Sequence, residues 1–511
     1  MGGFFAILTA VLHGATAWRY GYFRDELYFI ACSKHMAWGY VDQPPLVVMA
    51  AWLSGLAGYN LIALRMLPIL AAAYAVFLAI TLSHELGAGR FSRAIAAVAT
   101  MLAPAYLLLG STLTTTSLEP ATWTLVIYSF VRIVSNAGRQ DVKAEQFWWL
   151  GLAGSIAIGI YAKYSIALLV VGLLIGLFAT RERRIVRGPW PLLAALIVAI
   201  ATLPNAWWQA SHGWPIFEVL RGDVAHRHAF QNGVALETPN FISNVWPFIT
   251  EQFLYVNPIA APLWIAGLIG PFAVKSLRDL RFVSIAYAFV FVAAVLFSAK
   301  GYYIVGMYVA LFAIGAAVIE QAALTIRIPY FAALLASGIV AMPLSLPLLP
   351  VDDLVAYTAR LGLTGRDGTP ARLIQPVFAE EFGWGRLARD VAFVYESLPP
   401  DVRKRTAIYA DTYGDAGALD FFGPHFGLPP AISSQNNYFL WGTRGYDGRV
   451  LIAVGATRID LLRKYYRSVT LERTSTEPYK WVVEGPAPIY LCRDPVAPLD
   501  RIWPQLRWYG A

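Results

Sequence analysis

The chain has 511 residues, of which 58% are hydrophobic and only 14% charged, with a formal net charge of +8 and a mean hydropathy of +0.53. A soluble protein of this length is not so apolar, and the composition predicts a polytopic membrane protein. The basic residues fall between apolar segments instead of forming one stripe, which reads as topology and argues against nucleic acid as a partner.

The first apolar stretch, Gly3 to Trp18, has no Lys or Arg before it and no clear cleavage site, so it reads as a membrane helix and not as a signal peptide. Further spans are expected near residues 61–82, 94–110, 121–133, 147–161, 166–179, 192–207, 260–274, 283–297, 304–318 and 328–349, about eleven in all. Alternate connections carry Arg90 and Arg93; Arg132, Arg139 and Lys143; Arg181, Arg183, Arg184 and Arg187; Lys275, Arg278 and Arg281; and Arg327. Positively charged short loops stay in the cytoplasm. The N-terminus is therefore expected to be cytoplasmic, and the intervening loops external.

The first of those external loops, Tyr20 to Leu46, packs Arg24, Asp25, Glu26, Lys34, His35 and Asp42 beside the bilayer. Ionisable groups there are costly and are usually kept for ion or substrate handling. Asp25 and Glu26 are adjacent, so on a helix they diverge by about 100° and take different roles. A second reading of the pair stands beside this one, in which Asp25 caps a short interfacial helix anchored by Tyr22, Phe23, Tyr28 and Phe29.

Further along, Arg65, Lys163 and Lys300 lie at external ends of spans, with Tyr302 and Tyr303 next to Lys300. Each cation alone is read as snorkelling to the interface; together with an acidic pair on one side they suggest an anion site. Glu119 precedes Pro120 and is either a further acidic site residue or a carboxylate facing a helix dipole. The loop from Gln209 to Asn257 holds His212, Arg221, Asp223, His226, Arg227 and His228 and is read as a lid or acceptor groove. His226 and His228 have no acidic or cysteine partner at ligand spacing, and no metal or cofactor is expected.

From about residue 351 the charges spread evenly, and the stretches Thr406 to Tyr413, Arg449 to Val454 and Ala487 to Cys492 read as strands. This tail, residues 351–511, is expected to be a soluble, external α/β domain that covers the membrane-embedded site or binds acceptor. The two cysteines, Cys32 and Cys492, both fall on the external side, either bridged or as small buried thiols.

The Asp25-Glu26 pair after the first span, followed by Asp42-Gln43-Pro44-Pro45-Leu46, resembles the first external loop of the family-39 GT-C glycosyltransferases. These include the dolichyl-phosphate-mannose protein mannosyltransferases and the bacterial transferase that puts aminoarabinose on lipid A. The resemblance covers residues 1–350 and implies a GT-C transmembrane domain with its catalytic loop at 20–46. It further implies inverting transfer of a hexosyl or pentosyl sugar from a polyprenyl-monophosphate donor to a hydroxyl of a cell-envelope acceptor (lipid A, glycan or protein) at the external face of a bacterial inner membrane. By the same resemblance Asp25 is the general base and Glu26 orients acceptor or loop. Asp42 positions sugar or acceptor, and Arg65, Lys163, Lys300, Tyr302 and Tyr303 clamp the leaving phosphate. Gln43 stands where the aminoarabinose transferase has Lys and the protein mannosyltransferases have His, which leaves the sugar open. The competing class is a transporter or flippase for a lipid-linked sugar, whose charges would lie near the midplane on broken helices with paired halves.

Overall fold

The computed structural model describes residues 1–231, 234–235, 241–363, 374–455, 459–480 and 485–510, and no side chain between residues 223 and 244. Asp223, His226, Arg227 and His228 of the expected lid therefore lie outside the described side chains.

The N-terminal 350 residues form a helical bundle. Five described helical segments are long and apolar enough to cross a membrane: Leu61–Glu85, Trp190–Ser211, Lys275–Leu296, Gly301–Ile319 and Leu324–Ser345. Two further pairs meet the same test together but are bent, Arg90–Met101 with Pro104–Ser111 by 58° and Val245–Tyr255 with Pro258–Ala273 by 89°. Both bends fall on the residue before a proline, which is pushed out of the helical region: Ala103 is extended at φ −67°, ψ 129° and Asn257 sits at φ 71°, ψ 120°. About eleven spans were expected. The remaining expected spans fall on shorter apolar helices, such as Gly2–Gly14 and Ile166–Phe178, and on the 21-residue helices Glu119–Arg139 and Val142–Ala162, which carry more polar side chains.

Small residues close the bundle. A Cβ on Gly267 would lie 2.0 Å from the Leu311 carbonyl oxygen, and one on Gly315 would lie 2.0 Å from that of Leu263. The helices Ala261–Ala273 and Tyr308–Ile319 thus meet backbone to backbone, which gives dispersion contact where lipid supplies no hydrophobic drive. At one end of the bundle charges pair among themselves, Arg132 with Glu85 and Arg327 with Glu320 at 3.0 Å. The opposite end gathers Tyr20–Leu46, Thr112–Glu119, Lys163, Asn205, Gln209 and Lys300, joined by the contacts described below.

A short antiparallel pair, β1 (Phe230–Gln231) and β2 (Val234–Ala235), interrupts the bundle's chain ahead of the C-terminal α/β domain. The domain's five-stranded sheet contains β3 (Ala407–Ala410), β4 (Ala431–Ile432), β5 (Val450–Val454), β6 (Tyr466–Ser475) and β7 (Ala487–Pro495) in the order β4-β3-β5-β7-β6. Strand β3 is parallel to both β4 and β5, and β7 is antiparallel to β5 and β6. Every residue of β3 is buried, as expected for a central strand covered on both faces. Cys32 and Cys492 are both buried free thiols, in different clusters, so no bridge ties loop to domain.

One hydrophobic cluster crosses the junction between bundle and domain. It contains Leu27, Phe29, Ile30 and Val47 from the first loop together with Trp384, Leu387, Ile408 and Ile452 from the C-terminal domain. The loop is packed into the core of that domain, at the mouth of the bundle.

Candidate active site at the mouth of the bundle

The acidic pair opens the helix Arg24–Ser33. Glu26 stands at its third position and accepts the Phe23 N–H at 2.9 Å, so the capping bond is made by Glu26 and not by Asp25. Glu26 is fully buried and faces Arg65, whose Nε and Nη2 each reach one carboxylate oxygen at 2.9 Å. Arg65 Nη1 donates to the Ala17 carbonyl at 3.1 Å and Nη2 to that of Gly21 at 2.8 Å. Glu381, from the C-terminal domain, approaches Nη2 at 3.3 Å, and Leu113 N–H donates to Glu26 at 2.9 Å. Burial pushes the Glu381 carboxyl up to about 8, against the pull of Arg65. Arg65, expected as a phosphate cation, is thus enclosed among two carboxylates and two carbonyls, with its guanidinium fully buried.

Asp25 points the other way. Its side chain keeps 27% of its exposure, and its Oδ1 accepts the Tyr413 hydroxyl at 2.9 Å and lies 3.5 Å from Arg24 Nε. Both contacts fall on Oδ1, and Oδ2 takes none among the described residues. Asp42 is held between Tyr28, whose hydroxyl donates at 3.0 Å, and Asn436, whose Nδ2 donates at 3.0 Å. Gln43 is buried, with its amide 4.0 Å from the Cys32 sulfur, so it faces the loop interior. The second half of the loop is pinned from the bundle: Asn205 Nδ2 donates to the Trp38 carbonyl at 2.8 Å and Gln209 Nε2 to that of Tyr40 at 2.9 Å.

A third group lies beneath. Lys163 Nζ donates to Thr116 Oγ1 at 2.7 Å, lies 3.5 Å from the buried Glu119 carboxylate and sits 4.0 Å from the centre of the Tyr303 ring. Ser165 also donates to Glu119. Tyr302 packs edge-on against Tyr303 with ring centres 5.0 Å apart, and lies within electrostatic reach of both Asp25 and Glu119. Lys300 is exposed and acts on Lys163 through space. The structure therefore brings Asp25, Glu119, Lys163, Lys300, Tyr302 and Tyr303 to one mouth, and places Glu26, Gln43 and Arg65 behind it. Among the described residues no three His, Cys, Asp or Glu side chains converge on a metal position.

The fold matches solved structures along nearly the whole chain. ArnT from Cupriavidus metallidurans in the apo state superposes with a TM-score of 0.63, and ArnT from the same organism bound to undecaprenyl phosphate with 0.61. In both cases 96% of this chain and 97% of that one are covered, at 14% identity. The chain has the ArnT fold. In sequence, the dolichyl-phosphate-mannose-protein mannosyltransferase family matches over residues 42–208, a stretch that starts at Asp42 and takes in Gln43, Arg65, Glu119 and Lys163. The chain thus resembles the GT-C transferases in sequence pattern as well as in fold. No curated protein matches it.

Within the ArnT fold, sequence reasoning missed Glu381, Tyr413, Asn436 and Asn437. A signal existed for the asparagines: residues 433–437, Ser-Ser-Gln-Asn-Asn, are all buried, and so uncharged a polar run between apolar stretches marks a bonded junction. Nothing in the local sequence singles out Glu381 or Tyr413, whose partners lie more than 300 residues away.

Proposed function

We propose that this chain is an inverting glycosyltransferase that moves a sugar from a polyprenyl monophosphate to a hydroxyl of an envelope acceptor. The observation that carries the reading is the placement of the Asp25 carboxylate, whose Oδ2 takes no bond among the described residues, at the same mouth as the Lys163, Tyr302 and Tyr303 group. The ArnT structure with undecaprenyl phosphate, a lipid of the proposed donor class, supports it.

In this reaction the acceptor oxygen attacks the anomeric carbon while the bond from that carbon to the phosphate oxygen breaks. The acceptor proton goes to Asp25 Oδ2, and the electron pair leaves with the phosphate. Lys163, Lys300 and the tyrosine hydroxyls offset the charge that gathers there. In-line displacement inverts the anomeric centre. Asp42, held by Tyr28 and Asn436, lines the sugar side. Glu26 and Arg65 hold the loop helix against the bundle. The mouth is taken as the external, periplasmic face of a bacterial inner membrane, because the Arg-rich connections lie at the other end; the N-terminus is then cytoplasmic. The sugar, hexose or pentose, and the acceptor, lipid A, glycan or protein, follow from the product.

The test is transfer from a panel of radiolabelled polyprenyl-phosphate sugars into total envelope acceptors, wild type beside Asp25→Asn at equal expression. Transfer by the wild type and its loss in the variant are expected. Equal transfer by both removes Asp25 as base, and no transfer from any donor moves a lipid-linked sugar transporter to the front.

A further inference from the structure

Three residues of the C-terminal domain, on three different elements, reach the charged groups of the first loop. Glu381 follows the turn Pro376–Ala379 and meets Arg65 at 3.3 Å. Tyr413 begins the helix Tyr413–Phe422 and meets Asp25 at 2.9 Å. Asn436 begins the helix Asn436–Leu440 and meets Asp42 at 3.0 Å. A fourth bond is to the backbone: Asn437 Oδ1 accepts the Val41 N–H at 2.9 Å.

The sheet explains why two of these arrive together. Strand β3 lies between parallel partners β4 and β5, and the chain leaves β3 for β4 before crossing to β5 on the other side. The carboxyl end of such a strand is a topological switch point, where open α/β sheets leave a crevice for ligands. Here Asp411 and Thr412 follow β3, the Thr412 hydroxyl accepts the Asp415 N–H at 3.1 Å to start the next helix, and Tyr413 comes immediately after. Tyr413 N–H donates to Gln435 at 2.7 Å, which fixes the segment after β3 to the one after β4. The crevice is filled by the loop: a Cβ on Gly417 would meet the Leu27 backbone at 3.0 Å, and the Tyr28 and Tyr413 rings lie 4.6 Å apart.

We propose that the switch-point edge of the C-terminal domain is the outer half of the catalytic site, with Tyr413 and Asn436 as positioning residues that hold Asp25 and Asp42 in their working orientation. This rests on the glycosyl-transfer reading of Asp25. Tyr413 occupies Oδ1 and directs the other oxygen toward the acceptor. Asn436 has a left-handed backbone, φ 49°, a conformation that asparagine adopts more readily than most residues, and its amide is fully buried on Asp42 and on the Gly510 N–H at 3.1 Å. Arg24 and Glu380 are the other charges facing Tyr413. Both are common to wild type and variants and do not distinguish them.

The experiment uses the full chain in lipid nanodiscs with Tyr413→Phe and Asn436→Gly. The first keeps the ring stack on Tyr28, and the second keeps the left-handed backbone free of strain, so both are expected to fold. With a donor that the wild type transfers, Tyr413→Phe is expected to lower kcat about tenfold with donor KM unchanged. An unchanged kcat overturns the proposal. Hydrogen exchange of residues 24–46 is measured on the same samples and needs no turnover. Faster exchange there, with the β3 and β5 amides unchanged, supports the positioning role even if the wild type transfers no sugar and the glycosyl-transfer reading fails. Unchanged exchange in both variants overturns it.

Discussion

The two faces of the helix Arg24–Ser33 carry adjacent carboxylates with opposite fates. On the inner face Glu26 is fully buried, and its carboxylate oxygens take bonds from Arg65, Phe23 and Leu113. On the outer face Asp25 keeps a quarter of its exposure and, among the described residues, one oxygen without a bond. A buried, saturated charge fixes geometry and has nothing left for a substrate. A partly exposed carboxylate with one oxygen left for a ligand can take a proton. The difference teaches that a charged pair beside a membrane divides into a structural and a chemical member according to which neighbour each meets.

The largest effect expected is on the inner face. Arg65→Ala leaves Glu26 and Glu381 buried without a cation, and breaking such a cluster costs about 3–5 kcal/mol; thermal unfolding of the purified protein measures it. Glu26→Gln combined with Arg65→Met is expected to recover part of that loss. If Arg65→Ala instead unfolds like wild type and loses only donor affinity, the two faces are not divided as described. On the outer face, Asp25→Asn is expected to lower kcat by about 10²–10⁴, the range of a general base, with the unfolding midpoint unchanged.

Beneath both faces, Lys163→Gln tests the phosphate group. A fall of about tenfold in kcat/KM is expected, since a charge-assisted bond to a leaving oxygen is lost; unchanged kinetics would return Lys163 to a structural pair with Glu119. A further measurement sharpens the inner face. A Glu381 carboxyl that keeps its proton to about pH 8 when folded, against 4.5 for an ordinary one, binds more protons folded than unfolded. Stability therefore falls as pH rises from about 4.5 to about 8 and is level beyond. A pH series of melting midpoints that slopes downward in wild type and flattens in Glu381→Gln is the expected result.

Much of the site was legible because its chemistry is local. Asp25 and Glu26 sit side by side in a short loop after a span, and the Lys163 and Lys300 turns are isolated cations between long apolar runs. Arg65 looked like a third such cation. Its burial was not legible, since the groups that enclose it come from residues 17, 21, 26 and 381. Gln43 is a similar case: a polar residue beside two prolines reads as exposed, yet it is turned inward toward Cys32. The bends at Ala103 and Asn257 were not legible, because apolar length alone does not show where a proline breaks a helix.

By itself the sequence determined that the chain lives in a bilayer, that its tail is an α/β domain, and that a charged loop stands at one end of the bundle. Those properties follow from composition and short-range periodicity, which need no partner. Tertiary structure alone decided which carboxylate stays open, that Arg65 is enclosed, and that the loop shares its core with a domain more than 300 residues away. Burial and hydrogen-bond satisfaction belong to pairs of distant residues. Each such pair is fixed only when the sheet's switch point closes over the loop.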